Sequence, residues 1–127
     1  MNKLFSFLFW GFVVITSVFF FFVAVCIWIF SLLFDRKRKW FLHQFTSFWA
    51  SLYSWLNPLW ILKIYGLENI DRKKTYVYVS NHQSLLDILI LFRLFTHFKW
   101  VSKIENFKVP FIGWNMRLND YIELDRG

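Results

Sequence analysis

The stretch YVYVSNHQSLLDILILFRLF, residues 76–95, decides the fold that we predict from the sequence. Its first part, Tyr76–Ser80, alternates aromatic and β-branched side chains, which is typical of a strand. From Ser84 to Phe95 the chain is largely apolar, and Ser84 and Asp87 stand at the spacing of a capping box, which marks the start of a helix. A strand that runs directly into a helix indicates the α/β fold class, with a layered domain.

The flanking segments continue this alternation of strands and helices. We expect a short strand at Leu62–Gly66, followed by a polar turn. On the other side we expect strands at Lys99–Ser102 and Tyr121–Leu124, and between them a short helix, Pro110–Arg117, opened by proline.

The N-terminal segment is long and apolar. The chain has no charged residue between Lys3 and Asp35, and about 20 apolar residues are enough to span the hydrocarbon core of a bilayer. A cleaved signal peptide is the alternative, but its apolar part would be only about 7–15 residues long. Val23–Cys26 also fits neither of the usual cleavage sites. We therefore predict a transmembrane helix at Leu4–Phe34.

The next segment, Trp40–Leu56, has the period of an amphipathic helix that ends before Asn57-Pro58. Aromatic and aliphatic residues recur on one face, and serines lie largely opposite: Phe41, Phe45, Phe48, Leu52 and Trp55 against Ser47, Ser51 and Ser54. The tryptophans favour a helix that lies in the headgroup layer. A helix buried against the domain is the alternative.

Composition and charge favour a membrane partner. Hydrophobic residues make up 57% of the chain and aromatic residues 24%, and the net charge is +7. The basic residues are grouped at 36–39 and 72–74, outside the aromatic segments, so anionic lipid headgroups fit better than nucleic acid. We therefore expect no nucleic acid. RNA binding is a third interpretation, which predicts salt-sensitive retention on RNA.

Because the cations follow the span, the positive-inside rule places residues after Asp35 in the cytoplasm, and we expect a bacterial inner membrane rather than the endoplasmic reticulum.

His82 lies where the predicted strand gives way to the predicted helix, a position where ligands commonly bind. Asp87, in the first helical turn, could accept a hydrogen bond from one imidazole nitrogen, leaving the other to take a hydroxyl proton near neutral pH. The spacing alone is weak evidence, since Asp87 is also suited to be only a helix cap. Metal chemistry is not expected, because Cys26 is the only cysteine and we interpret His43 and His97 as interfacial or surface residues.

Asn81-His82-Gln83-Ser84, followed by Asp87 and Ile88, resembles the first motif of the lysophosphatidic acid acyltransferase family and its glycerol-phosphate acyltransferase relatives. The similarity covers about half of the chain, from Lys63 to Gly127. It includes Gly66–Ile70 upstream and, downstream, Lys103 with the segments Val109–Trp114 and Tyr121–Arg126.

The resemblance implies a reaction and roles for particular residues. The reaction is acyl transfer from acyl-CoA or an acyl carrier protein to the hydroxyl of lysophosphatidic acid or a related glycerol phosphate, with no cofactor and no metal. His82 would be the general base and Asp87 its orienting partner. Arg126 would bind the acceptor's phosphate through its guanidinium fork. Asn81 and Ser84 would contact substrate beside the base.

Lys103 is a weaker candidate for the phosphate pocket, its alternative being a solvated lysine at a strand end. The third motif of the family, Glu-Gly-Thr-Arg, does not occur up to Gly127, nor does a fourth. We therefore expect the N-terminal part of a longer protein, with an anchor at 1–35, a basic flank and amphipathic helix at 36–62, and part of the acyltransferase domain at 63–127. The alternative function is that of a catalytically incomplete membrane-anchored fragment that binds lipid headgroups without turnover.

Overall fold

The computed structural model describes residues 3–81, 84–125 and 127, with Leu85 described by its backbone alone. The chain divides into two compact units, Met1–Thr46 with His97–Gly127 and Ser47–Thr96, which we call the first and second unit. In chain order the described elements are α1 (Lys3–Phe34), α2 (Trp40–Leu56), a 3-10 helix (Leu67–Asn69), α3 (Leu85–Phe92), β1 (Val101–Lys103), α4 (Ile104–Phe107), α5 (Ile112–Leu118) and β2 (Ile122–Leu124).

Helix α1 confirms the predicted apolar helix. It is 32 residues long, about 48 Å, compared with about 30 Å for the hydrocarbon core of a bilayer. Among the described residues it is the one helix long and apolar enough to cross a membrane. Its small residues Ser17, Ala24 and Ser31 are buried two turns apart. Phe21 beside this stripe contacts α5, with its ring centroid 5.5 Å from that of Trp114.

Helix α2 has the predicted bounds. Its first amide, the N–H of Trp40, donates a hydrogen bond to the Asp35 carboxylate, which satisfies one of the donors that every helix start leaves open. At the other end, the side-chain oxygen of Asn57 accepts a hydrogen bond from the N–H of Leu59 at 3.0 Å. Pro58 between them cannot donate a backbone hydrogen bond, so the chain leaves the helix here.

The buried side of α2 is the serine face, together with Leu42, Trp49, Ala50 and Tyr53. The serines of the predicted polar face, Ser47, Ser51 and Ser54, are buried. Phe41, Phe48, Trp55 and three further large apolar residues of this helix and its flank are exposed: Trp40, Leu56 and Leu59. Large exposed apolar surface on one side of a helix indicates an interaction site, so the helix both packs on protein and presents aromatic surface outward.

The sheet is smaller than we predicted. Strands β1 and β2 pair in parallel, with Val101 opposite Ile122 and Lys103 opposite Leu124, and α4 and α5 form the crossover between them. Both strands lie close to predicted positions, and α5 lies close to the predicted helix, whereas α4 was not predicted. This is the one sheet among the described residues, so an α/β architecture is present only in part.

Two predicted strands are wrong. Residues 62–66 and 76–80 have no regular secondary structure. A strand exists only when a neighbour completes its hydrogen-bond ladder, and the described part of the chain gives these segments no such neighbour. Val77 and Val79 are each 90% exposed. The alternating β-branched residues at 76–80 therefore favour a strand locally, but a strand does not form without a partner.

Helices α4 and α5 approach closely at Gly113. A Cβ atom at this position would overlap the carbonyl oxygens of Phe107 and Asn106, so the crossing of the two short helices depends on glycine. The residue before α5, Phe111, has a φ of 62°, which is uncommon for a residue with a side chain. Its ring lies 5.1 Å from that of Trp114, which fixes this turn against the first turn of α5.

Candidate functional site

The start of α3 carries the predicted capping box. Ser84 is the N-cap, in extended conformation, and its Oγ accepts a hydrogen bond from the N–H of Leu86 at 3.2 Å. In return, Oδ2 of Asp87 accepts a hydrogen bond from the N–H of Ser84 at 2.9 Å. Both groups satisfy amides that have no partner within the helix. As a result, the Asp87 carboxylate is held back toward the loop that precedes the helix.

The helix-cap role of Asp87 is thus established, while its predicted role beside His82 stays a prediction. His82 and Gln83 lie outside the described residues. Asn81, on the near side of the loop, is exposed, as a substrate contact must be. Ser84 was also predicted to bind substrate. In the structure its hydroxyl oxygen accepts a hydrogen bond from the N–H of Leu86 and so caps α3, while its contact with substrate stays a prediction.

An apolar cavity of about 160 Å³ lies in the second unit, beside α3. Leu86, Leu89 and Ile90 contribute one face of the helix, because residues three and four positions apart share a face. The other lining residues are Ser54, Trp60, Ile61 and Leu62. The lining is almost entirely apolar, so this cavity suits a hydrocarbon group, and Leu86 directly precedes Asp87 in the sequence.

The candidates for phosphate binding belong to the first unit. Lys103 is exposed at the end of β1 and is the N-cap residue of α4. It pairs in register with Leu124, the last residue of β2. Arg126 follows β2 in the sequence but lies outside the described residues. Lys103 is therefore at the carboxyl end of the parallel pair, and its proposed proximity to Arg126 stays a prediction.

The first unit also contains a buried polar cluster that the sequence did not reveal. Its buried members come from α2 and the residue before it, and from the second half of α5 and the residues after it: Lys39, His43, Thr46, Asn115, Asn119 and Tyr121. Half-buried Lys99 and exposed Asp120 border the cluster. The interpretation of His43 as a surface or interfacial residue is wrong, since only 1% of it is exposed. The available signal was the spacing of Lys39, His43 and Thr46, which places them on one side of a helix.

A hydrogen bond joins α2 to the residue before β2. The Tyr121 hydroxyl and Nδ1 of His43 are 2.8 Å apart, and burial raises the pKa of Tyr121 well above its usual value, so the phenol stays neutral. The His97 ring lies 5.1 Å from that of His43. His97 is half-buried, and its Nε2 donates to the carbonyl oxygen of Arg38 at 2.7 Å. Burial lowers the pKa of His97, although this hydrogen bond opposes the shift.

Two lysines hold the C-terminus of α5. Nζ of Lys39 donates to the carbonyl oxygen of Leu118 at 2.8 Å and lies 2.6 Å from the Asp120 carboxylate. Nζ of Lys99 donates to the carbonyl oxygen of Asn119. Cations are favourable at this negative end of a helix. Burial lowers the pKa of Lys99, although Asp120 opposes the shift.

Lys39 was predicted to face lipid headgroups together with its neighbours, and this is wrong. Its side chain is buried and paired, while Arg36, Lys37 and Arg38 are exposed and stay available for headgroups. Within the described residues, no group of three or more His, Cys, Asp or Glu side chains could hold a metal ion.

Comparison with known proteins defines the class. Residues 61–127, which contain the capping box, the cavity-lining helix α3 and the parallel pair, match the Acyltransferase family, and the chain belongs to that family. No solved structure matches the chain.

The names of individual relatives specify an activity as well as a family. The chain is 44% identical over 98 residues to the chloroplastic 1-acyl-sn-glycerol-3-phosphate acyltransferase BAT2 of Brassica napus, covering 76% of this chain and 28% of that protein. Identity is also 44% over 98 residues to the chloroplastic enzyme LPAT1 of Arabidopsis thaliana, with 76% and 27% covered. The 1-acyl-sn-glycerol-3-phosphate acyltransferase of Saccharomyces cerevisiae is 44% identical over 66 residues, covering 51% of this chain and 22% of that protein. The chain thus spans little more than a quarter of the length of the two chloroplastic relatives.

Proposed function

We propose that this chain carries the catalytic base of an enzyme that transfers an acyl group to the hydroxyl of lysophosphatidic acid or a related glycerol phosphate. The observation that carries the proposal is the capping box, which holds the Asp87 carboxylate at the backbone N–H of Ser84, two residues after His82 in the sequence. Membership of the Acyltransferase family, and the activity for which the relatives are named, supply the reaction.

The chemistry requires a base and a thioester. The imidazole of His82 takes the proton of the acceptor hydroxyl while the oxygen attacks the thioester carbonyl of acyl-CoA or an acyl carrier protein. A carbon–oxygen bond forms, the carbon–sulfur bond breaks, and the leaving thiolate takes up a proton. Asp87 fixes the tautomer and orientation of the imidazole. No acyl-enzyme and no metal enter this sequence.

The remaining substrate groups have matching partners in the chain. Arg126 binds the phosphate of the acceptor through two parallel hydrogen bonds, assisted by the exposed ammonium of Lys103. Asn81 and Ser84 line the approach to the base. The apolar cavity beside α3 takes the part of an acyl chain nearest the reacting carbonyl, because its lining offers little for a polar group to bind.

The membrane brings the enzyme to its substrates. Helix α1 and the exposed aromatic side of α2 anchor the chain, and Arg36, Lys37 and Arg38 contact anionic headgroups, with the catalytic segment on the cytoplasmic side. The relatives named above come from plants and a yeast and give no support to a bacterial inner membrane. Orientation is tested by asking from which side of sealed membranes a protease reaches the exposed turn Arg72–Lys74.

Activity is tested by transfer of labelled acyl groups to lysophosphatidic acid by membranes that contain this chain, with both donors offered. His82→Gln removes the base, and His97→Gln is its matched control at a half-buried histidine outside the catalytic motif. We expect transfer to be lost in the first variant and retained in the second. Equal loss in both variants would contradict the role of His82.

A second candidate function has its own support. It is the binding of lipid headgroups without turnover, which the exposed cations Arg36, Lys37 and Arg38 favour. Wild-type chain that retains lysophosphatidic acid on membranes but transfers no acyl group from either donor would favour this candidate.

A further inference from the structure

The short strand β2 lies at the surface, where Glu123 pairs with Arg117 of α5 at 3.0 Å. All its residues are exposed, and a short two-stranded pairing is only marginally stable in water. Its first amide, the N–H of Ile122, donates to the carbonyl oxygen of Trp100 at 2.7 Å. The residue just before the strand is different, because Tyr121 is only 6% exposed and its side chain reaches α2. The Tyr121 side chain therefore anchors the N-terminal end of β2, together with the hydrogen bond from the Tyr121 N–H to the carbonyl oxygen of Met116 at 3.1 Å.

Helix α2 holds Tyr121 through its polar side. Nδ1 of His43 lies 2.8 Å from the Tyr121 hydroxyl. One helical turn further along, Oγ1 of Thr46 accepts hydrogen bonds from Nδ2 of Asn115 at 3.1 Å and of Asn119 at 3.0 Å. All five residues are buried, and buried hydrogen bonds specify geometry strongly because breaking one leaves a costly unpaired group.

We propose that His43 is a positioning residue that fixes the start of β2 through Tyr121, and with it the segment that leads to Arg126. Helix α2, which exposes aromatic side chains on its other side, thus also fixes the position of β2, the strand that precedes Arg126 in the sequence. The expected effect on phosphate binding rests on the proposed function, whereas the positioning of β2 by His43 does not.

A matched control exists in the same helix. Tyr53 is 5% exposed, and its hydroxyl accepts a hydrogen bond from Nε1 of Trp49 at 2.7 Å. Tyr53→Phe therefore removes a buried tyrosine hydroxyl, as Tyr121→Phe does, but its hydrogen bond with Trp49 lies within α2. A purely general loss of stability would affect the two variants alike.

The first experiment is amide hydrogen exchange, resolved by residue, on the full chain in lipid bicelles. We expect Tyr121→Phe to speed exchange of the Ile122 amide by about fivefold to tenfold, the effect of one buried hydrogen bond, and Tyr53→Phe to leave it unchanged. His43→Leu should match Tyr121→Phe. His43→Asn, whose amide can replace Nδ1, should restore protection. Unchanged protection in Tyr121→Phe, or equal loss in both tyrosine variants, overturns the proposal.

The second experiment measures the dissociation constant for lysophosphatidic acid in vesicles of uncharged lipid. Tyr121→Phe and His43→Leu should raise it by about fivefold, with no change in Tyr53→Phe or in the KM for the acyl donor. Absence of binding by the wild-type chain contradicts the proposed function alone, and the exchange result still decides whether His43 positions β2. Intact binding in Tyr121→Phe, with faster exchange, refutes the link from β2 to the phosphate.

Discussion

Replacing Ser84 by alanine should open the first turn of α3 and weaken the catalytic motif. The hydroxyl oxygen accepts the Leu86 amide at 3.2 Å, and loss of a serine N-cap costs about 1 kcal/mol. Helix α3 is 8 residues long, shorter than the roughly 12 residues that an isolated helix needs, so it has little reserve against local opening. A cost of about 1 kcal/mol corresponds to a roughly fivefold larger open population.

Residue-resolved hydrogen exchange at the Leu86 amide measures this opening directly. We expect about fivefold faster exchange in Ser84→Ala and wild-type exchange in Ser84→Thr, which keeps the hydroxyl oxygen. Acyl transfer should fall by less than this factor in Ser84→Ala, because Asp87 is held back only while this turn is closed and transfer follows the closed fraction, which changes less than the open one. Wild-type exchange in Ser84→Ala, or a Ser84→Thr variant as open as the alanine variant, would refute the reasoning.

Three further predictions concern the first unit. Gly113→Ala should lower the free energy of unfolding by about 1–3 kcal/mol, because its methyl group would overlap carbonyl oxygens of α4; an unchanged thermal midpoint in detergent would contradict this. Lys39→Met should destabilise the chain by about 1–3 kcal/mol, since Asp120 and the end of α5 lose their cation, whereas exposed Lys37→Met should change little in the same assay. The pKa of His97 is lowered by burial, so folding favours the neutral ring: stability should be full above about pH 6.5 and fall below it. His97→Gln should flatten that part of the pH profile, and an unaltered profile would contradict the assignment.

The elements that the sequence predicted best are those fixed by local interactions. Helix α2 has both predicted ends, because an acidic side chain caps its first amide and Pro58 cannot continue it. The capping box of Ser84 and Asp87 is present for the same reason: its hydrogen bonds join residues within one turn. Local hydrogen bonds and period depend on neighbours in sequence, so they can be recognised without a tertiary structure.

The strands were predicted less well. The segments at 62–66 and 76–80 have the side-chain alternation of strands but no ladder within the described residues, because the partner of a strand is not encoded in the strand. β1 and β2 form a ladder since α4 and α5 return the chain alongside itself. The proposed catalytic pair, His82 with Asp87, was predicted from the resemblance of its motif.

The sequence by itself determined the apolar helix, the amphipathic helix, the helix start at Ser84 and the family to which residues 61–127 belong. Only the tertiary structure decided that α2 buries its serine side and exposes its aromatic side. It also decided that Lys39 and His43 turn inward to Asp120 and Tyr121. Period places residues on a common face, but which face is buried depends on the surface it meets, and here that surface is formed by residues distant in the chain.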